Sequence, residues 1–213
     1  MLALLIDTST ERGMVAVVDN DALLFHVELP FGHQHSKHLL PTIEEALKQT
    51  GLKLPQLTFI GLGVGPGSYT GIRMGASVAK TLAFAAQLPL VGVSTLKEFI
   101  PDTNGPFAVM LDARISGVYL LTGVCQDGKV QYDSDPRACT LEEASKILQT
   151  IDLVVTPNKK RLETLWKAPP WKWLETGPNP LLMANHALQN YEAGLFSTDS
   201  SVELLYLRPW ARS

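Results

Sequence analysis

Side chains that could bind phosphate or magnesium follow two apolar runs of the chain. Asp7-Thr8-Ser9 comes directly after the first apolar run, and Asp112 comes after a run near the middle of the sequence. A carboxylate beside hydroxyl groups is suited to a phosphate and its metal ion. Aspartate also begins ordinary polar turns, because its side chain hydrogen-bonds to the backbone that follows it. Asp7, Thr8 and Ser9 are therefore candidate nucleotide-binding residues, with a plain polar turn as the alternative.

A glycine-rich loop follows the apolar run 59–64 and leads into a helix predicted over 69–86. Loops of this kind often bind phosphate at the helix N-terminus. The loop lacks the Gly-Lys-Ser/Thr ending of a P-loop. It also lacks the spacing of a dinucleotide-binding loop, and Pro66 removes one N–H donor. Ser68 and Thr70 are instead predicted to cap the helix.

Three histidines, His33, His35 and His38, raise the alternative of a metallopeptidase. His35 and His38 have a workable spacing for two ligands near a helix start. No Cys, Asp or Glu lies beside them, however, and a metal site needs three or four ligands. Exposed or capping histidines are therefore favoured, and no metal site is predicted.

Basic residues alternate with three tryptophans between Lys159 and Trp173. Such a stretch can bind single-stranded RNA by stacking of bases on aromatic rings. The alternative is a solvated loop whose tryptophans point inward. The net charge of −3 favours this second interpretation.

The overall composition indicates a soluble cytoplasmic protein without a membrane segment. The chain has 213 residues, of which 46% are hydrophobic, and no apolar run approaches bilayer length. Its two cysteines, Cys125 and Cys139, form no CxxC pair, which suits a reducing compartment. The first residues lack the basic leader of a signal peptide.

The chain contains an internal repeat of strand, aspartate, short turn, glycine and strand. The first copy runs from Leu2 to Val18 and the second from Phe107 to Thr122. In both copies, strands and helices alternate afterwards, which is typical of an α/β sheet covered by helices. Further strands are predicted at 22–29, 59–64, 90–93, 130–132 and 153–156, and helices at 35–50, 69–86, 141–150 and 181–189. Two such halves predict the actin, Hsp70 and sugar-kinase (ASKHA) architecture, with lobes at 1–100 and 101–213, the second one reduced.

The helix predicted over 69–86 is apolar around most of its circumference, so it should be buried on more than one side. Gly71, Gly75, Ala79 and Ala83 recur at every fourth position and form a smooth strip. One interpretation is a helix inside the core of its own domain. The other is a helix that packs on its own sheet and also on a partner's helix, with the amphipathic helix 35–50 beside it.

Several motifs together resemble one bacterial family, TsaB, also called YeaZ. These motifs are Ile6-Asp-Thr-Ser-Thr10, Gly63-Val-Gly-Pro-Gly-Ser-Tyr-Thr-Gly-Ile-Arg73, Leu111-Asp-Ala-Arg114 and Tyr206-Leu-Arg208. The similarity is dense in the first half and sparse between Thr140 and Val202. The resemblance implies an actin-like fold and a role in placing threonylcarbamoyl on the adenosine beside the tRNA anticodon.

The resemblance also implies partners. The chain would be the non-catalytic partner of its larger paralogue TsaD, the ATPase TsaE would join them, and tRNA would be contacted through the complex. Alone, the chain is expected to form a homodimer through the same helices. In the family, the helices that meet TsaD match 35–50 and 69–86. This assigns partner contacts to His35, Leu39, Ile43, Leu47, Gly71, Met74, Gly75, Val78, Ala79 and Leu82.

The resemblance also implies that the metal-binding residues of the catalytic paralogue are absent from the matching positions here. Two histidines that hold its metal correspond here to Thr95 and Phe99. Phenylalanine cannot coordinate a metal, so no catalytic residue and no cofactor of its own is expected, with ATP or ADP only at a junction with TsaD. The alternative is an ASKHA-type ATPase or small-molecule phosphotransferase.

Overall fold

A computed structural model describes residues 1–30, 35–114, 117–166, 169–199 and 201–207, without the side chain of His35. Clustering of contacts divides the chain into two compact units. The first comprises Met1–Glu98 with Pro178–Leu205, and the second comprises Phe99–Gly177 with Tyr206 and Leu207. Among the described residues, none of the helices has both the length and the apolar character needed to cross a bilayer.

Eleven strands and five helices make up the described residues. The strands are β1 (Leu2–Asp7), β2 (Met14–Asp19), β3 (Ala22–Glu28), β4 (Phe59–Gly63), β5 (Leu90–Val93), β6 (Gly105–Asp112), β7 (Val118–Gln126), β8 (Lys129–Tyr132), β9 (Arg137–Cys139), β10 (Leu153–Thr156) and β11 (Lys172–Glu175). The helices are α1 (His35–Thr50), α2 (Tyr69–Ala86), α3 (Leu141–Ile147), α4 (Lys159–Leu162) and α5 (Pro180–Glu192). Short 3₁₀ turns occur at Leu54–Gln56, Thr95–Glu98 and Leu148–Thr150.

The first unit is built on a five-stranded mixed sheet in the order β3-β2-β1-β4-β5. Strand β1 lies at its centre, antiparallel to β2 and parallel to β4. Alternate residues of β1 belong to two different cores. Leu4 and Ile6 face the core that includes residues of α1 and α2, whereas Ala3 and Leu5 face the core that includes residues of α5. Both faces of the sheet are therefore covered, which explains why β1 reads as an uninterrupted apolar run.

The second unit repeats this design with a sheet in the order β11-β10-β6-β7-β8, to which β9 adds by pairing with β7. Strand β6 takes the place of β1, since it is antiparallel to the next strand in sequence and parallel to β10. The two aspartates that end β1 and β6, Asp7 and Asp112, thus occupy equivalent positions. The predicted internal repeat and the predicted α/β fold are confirmed.

The division of the chain differs from the predicted lobes at 1–100 and 101–213. Residues 178–205 belong to the first unit, although the sequence places them after the whole second sheet. The reason is helix α5, whose Met183, Ala184 and Ala187 are buried against the first sheet. The short elements β9, β11 and α4 were not predicted, because β9 has only three residues and the other two lie in the stretch of mixed basic and aromatic residues, which lacks a clear period.

Candidate functional site

Asp7, Thr8 and Ser9 form a buried turn at the end of β1. Each of the three residues is at most 2% exposed. One carboxylate oxygen of Asp7 accepts the backbone N–H of Ser9, and the other accepts the hydroxyl of Thr95 at 2.7 Å. The hydroxyl of Thr8 donates to the carbonyl of Gly71 at 2.7 Å. The turn is therefore hydrogen-bonded to two distant parts of its own unit.

Glycines of the glycine-rich loop allow this turn to pack closely. A Cβ atom on Gly63 would overlap the side chain of Asp7. One on Gly67 would overlap the carbonyl of Ser9, and one on Gly71 would overlap the carbonyl of Thr8. Backbone atoms cannot move aside as a flexible side chain can, so only glycine fits at the last two positions. The loop thus serves close backbone packing in this structure.

The first turn of α2 confirms one of the two predicted caps. The side chain of Ser68 accepts a hydrogen bond from the backbone N–H of Gly71 at 3.2 Å, so Ser68 is the N-cap. Thr70 lies inside the helix and is exposed, so it is not a cap.

The assignment of Asp7, Thr8 and Ser9 as nucleotide contacts stays a prediction. Their side chains point into the first unit and bond to its backbone and to Thr95. Burial and close packing leave these hydroxyl and carboxylate groups engaged within the chain. The plain-turn interpretation describes what these side chains do here.

Glu98, at the end of the Thr95–Glu98 turn, is a further acidic residue that no sequence pattern predicted as part of a site. It is 0% exposed, and burial, followed by the charge of Asp7 and hydrogen bonding to it, raises the pKa of Glu98 well above its ordinary value. The signal available in the sequence was one glutamate in a mostly apolar stretch, 88–100. That signal alone does not distinguish a buried acid from an exposed one.

Asp112, the equivalent of Asp7 in the second unit, has different partners. It accepts the backbone N–H of Arg114 at 2.8 Å, as Asp7 accepts that of Ser9, and it forms an ion pair with Arg161. The charge of Asp112 is therefore balanced by an arginine, whereas Asp7 accepts hydrogen bonds from uncharged groups.

No group of three or more potential metal ligands occurs among the residues that the structure describes. His33 and the side chain of His35 lie outside the described part, and His38 is half-buried in α1. Thr95, at one of the two positions expected to match metal ligands of the paralogue, donates its hydroxyl to Asp7. Phe99, at the other, is fully buried.

The three tryptophans of the basic stretch pack against each other inside the second unit. The rings of Trp166 and Trp171 lie 5.8 Å apart and those of Trp171 and Trp173 5.9 Å apart, both nearly edge to face. Trp171 is only 6% exposed, and the indole N–H of Trp166 donates to Ser145 at 2.7 Å. The tryptophans turn inward as predicted, with Trp166 and Trp173 partly buried, but the stretch includes α4 and β11 and is not a loop throughout.

Helix α2 is not enclosed by its own unit. Its outer arc carries exposed residues, including Tyr69 at 40% and Phe84 at 75% exposure, and Leu40 on α1 is 55% exposed. The apolar residues Met74, Val78 and Leu82 flank this arc and are partly buried against the first core. A continuous surface of α2 is therefore open to a partner.

The assigned partner contacts divide into two groups. Leu47, Met74, Val78 and Leu82 are partly exposed, whereas the others with described side chains, Leu39, Ile43, Gly71, Gly75 and Ala79, are buried in the first unit. The strip of small residues faces inward, because Gly71 and Gly75 accommodate Thr8. The backbone that comes close to this strip belongs to the chain itself, which corrects the interpretation of the strip as a partner contact.

Two mixed sheets of one topology, each with an aspartate at the end of its central strand, define an α/β protein of the actin, Hsp70 and sugar-kinase class. YeaZ from Pseudomonas aeruginosa has the same fold, with a TM-score of 0.79 over 97% of this chain and 99% of that chain, at 24% identity. A sequence model of the family described as TsaD, tRNA N6-adenosine threonylcarbamoyltransferase, matches residues 31–166.

Two curated relatives carry the name tRNA threonylcarbamoyladenosine biosynthesis protein TsaB. That of Haemophilus influenzae is 33% identical over 174 residues, which are 78% of this chain and 72% of the relative. That of Escherichia coli K12 is 37% identical over 124 residues, which are 56% of this chain and about half (53%) of the relative. The chain belongs to the TsaB family.

Proposed function

We propose that this chain is a non-catalytic subunit in the biosynthesis of threonylcarbamoyladenosine in tRNA, and that it assembles with TsaD and TsaE. Membership of the TsaB family supports the pathway, since the relatives are named for it. The tRNA is contacted through the complex, which fits the net charge of −3.

The hydrogen bond from Thr95 to Asp7 is the observation on which the non-catalytic role rests. It engages the strand-end carboxylate that would otherwise serve a phosphate, and it also uses the hydroxyl of Thr95. The neighbouring Thr8 and Ser9 are engaged in the same way. With these groups directed inward, we assign the function to the exposed surface of α2.

That surface fits a protein partner. Phe84 is exposed and Met74, Val78 and Leu82 are only partly buried, so the helix presents apolar groups to solvent. Exposed apolar surface of this kind favours association with another protein. We assign TsaD as the occupant in the complex and a second copy of the chain as the occupant when TsaD is absent. ATP or ADP, if bound, belongs to the junction with TsaD.

Reconstitution tests the proposal. Modification of tRNA is measured with TsaD, TsaE, the enzyme that makes threonylcarbamoyl-adenylate, threonine, bicarbonate and ATP, with and without this chain. Omission should abolish modification, and unchanged modification would refute the role.

The purified chain supplies a second test, against the alternative of an ATPase or phosphotransferase. It should show no ATP turnover, and the variant Asp7→Ala should give the same background. Turnover that is lost in Asp7→Ala would establish the alternative instead.

A further inference from the structure

Strand β5 forms one edge of the first sheet, with β4 as its only neighbour in the strand order. The carbonyl of Val93 accepts the N–H of Val64 at 2.9 Å, so every second residue of β5 faces β4. Leu90 and Gly92 are the alternate residues, and they direct their backbone groups away from the sheet. Such a row of backbone donors and acceptors is a template for pairing with a further strand.

A later part of the chain pairs with this edge. The N–H of Leu90 donates to the carbonyl of Ser197 at 2.9 Å, and the carbonyl of Leu90 accepts the N–H of Ser197 at 3.0 Å. The carbonyl of Gly92 accepts the side-chain amide of Asn190 at 2.8 Å. The outer side of β5 is thus paired by residues that follow the second unit in the chain. Ser197 begins a segment, residues 197–205, that we call the edge strap.

The edge strap has a second anchor at its other end. The N–H of Leu205 donates to the carbonyl of Val64 at 2.9 Å. Before this anchor, Val202 and Leu204 are partly buried against the first core, whereas Glu203 between them is exposed. This alternation is typical of an extended chain that lies on a sheet.

The middle of the edge strap also contacts β5. A Cβ atom added to Gly92 would come within 3.2 Å of a methyl group of Val202, so this valine lies directly on the strand. The carboxylate of Asp199 accepts the hydroxyl of Ser197 at 2.5 Å and the N–H of Ser201 at 2.9 Å, which holds the bend before Val202. The strap is therefore held to the edge along its length.

The opposite edge of the same sheet has a different form of protection. Strand β3 pairs with β2 through a register shift between Val17 and Val18. Irregularities of this kind make an edge unsuitable for the addition of a further strand. Strand β5, in contrast, pairs with β4 in an unbroken register. Its regular edge needs a cover to stay unpaired with other molecules.

We propose that the edge strap guards β5 against strand addition, and that a second copy of this chain pairs with β5 when the strap is displaced. A second copy is the occupant because every molecule carries the same edge and the same strap, whose sequence already fits that edge. Two identical edges can pair across a two-fold axis. This contact does not use α2, so it is independent of the proposed association with TsaD.

Self-association of the full chain tests the proposal. All variants carry Phe84→Glu, which places a charge on the exposed surface of α2 and opposes association there. Val202→Glu is added to displace the strap, and Asn185→Glu, exposed on α5, is the matched control. Light scattering after size-exclusion chromatography should show concentration-dependent dimers with Val202→Glu and monomers with the control. A synthetic peptide of residues 197–205 should reverse these dimers, because it covers the edge again.

Hydrogen exchange locates the contact. At low protein concentration, the Leu90 amide should exchange at least about tenfold faster with Val202→Glu than with Asn185→Glu, because it loses the carbonyl of Ser197. At high concentration, pairing with a second copy should restore its protection.

A milder substitution keeps the test decisive if Val202→Glu does not fold. Val202→Thr keeps the shape, places a hydroxyl against the core and should cause the same changes to a smaller extent. Equal association of the Val202 and Asn185 variants would overturn the proposal. Dimers that persist with the peptide, or a Leu90 amide that stays protected at low concentration, would overturn it as well.

Discussion

The hydroxyl of Thr95 donates a 2.7 Å hydrogen bond to the carboxylate of Asp7, across a separation of 88 residues in the chain. Both residues are at most 2% exposed. This contact joins the end of the central strand to the turn that follows β5. It also gives Thr95, one of the two positions expected to match metal ligands in the paralogue, a structural role.

Replacement of Thr95 by valine should destabilise the first unit. Valine has nearly the same shape but leaves one oxygen of Asp7 and the N–H of Gly65 without their partner. Unsatisfied buried groups of this kind cost about 2–3 kcal/mol, measurable by urea unfolding followed by circular dichroism. The exposed Thr103→Val is the control and should change stability by less than about 0.5 kcal/mol. Equal unfolding curves for the two variants would contradict the structural role of Thr95.

Gly71→Ala should destabilise the protein, although glycine to alanine inside a helix normally adds about 1 kcal/mol of stability. The reason is the carbonyl of Thr8, which the new methyl group would overlap. We expect a net loss of about 1–3 kcal/mol, measured by thermal unfolding. Ser77→Ala, on the exposed side of the same helix, should leave the melting temperature unchanged or slightly higher. A Gly71→Ala variant as stable as wild type would show that the turn at Thr8 is not closely packed.

Phe84→Glu should weaken binding to TsaD without lowering stability. The ring is 75% exposed, so its loss removes little from the core, while a charge at this place opposes burial against a partner. We expect at least a tenfold loss in affinity, about 1.4 kcal/mol, by calorimetry or size-exclusion chromatography.

The matched control for this interface is Asn185→Glu, which introduces the same charge elsewhere on the first unit. Asn185 is exposed on α5, which covers the opposite face of the sheet. This variant should bind TsaD as wild type does. Equal weakening by both substitutions would indicate a general charge effect, and no weakening by Phe84→Glu would place the interface elsewhere.

Arg161→Gln should destabilise the second unit, because it removes the cation paired with Asp112. The side chain of Asp112 is only 7% exposed, but that of Arg161 is 59% exposed, so solvent weakens the pair. We expect a loss of about 1 kcal/mol that shrinks in high salt. Fluorescence of the tryptophan cluster in this unit follows its unfolding. Exposed Lys160→Gln controls for loss of a positive charge nearby and should have no effect.

Local patterns were sufficient to predict most of the elements. Apolar runs such as Leu2–Asp7 and the glycine loop before α2 mark their own boundaries, because strands and helix starts depend mainly on neighbouring residues. The repeated order of strand, aspartate and strand likewise predicted the shared topology of the two sheets. Resemblance to the TsaB family, based on the same motifs, is confirmed by the similar proteins.

The amino-acid sequence by itself determined where most of the strands and helices lie and which of their apolar residues face inward, since burial leaves a periodic record along the chain. Only the tertiary structure decided what those residues are buried against. It placed α5 on the first sheet, turned Gly71 and Gly75 of α2 toward Thr8, and brought Thr95 to Asp7. The physical reason is that an apolar or small residue shows that it will be buried but not which segment it will contact. Contacts between distant segments depend on the close packing of the whole unit.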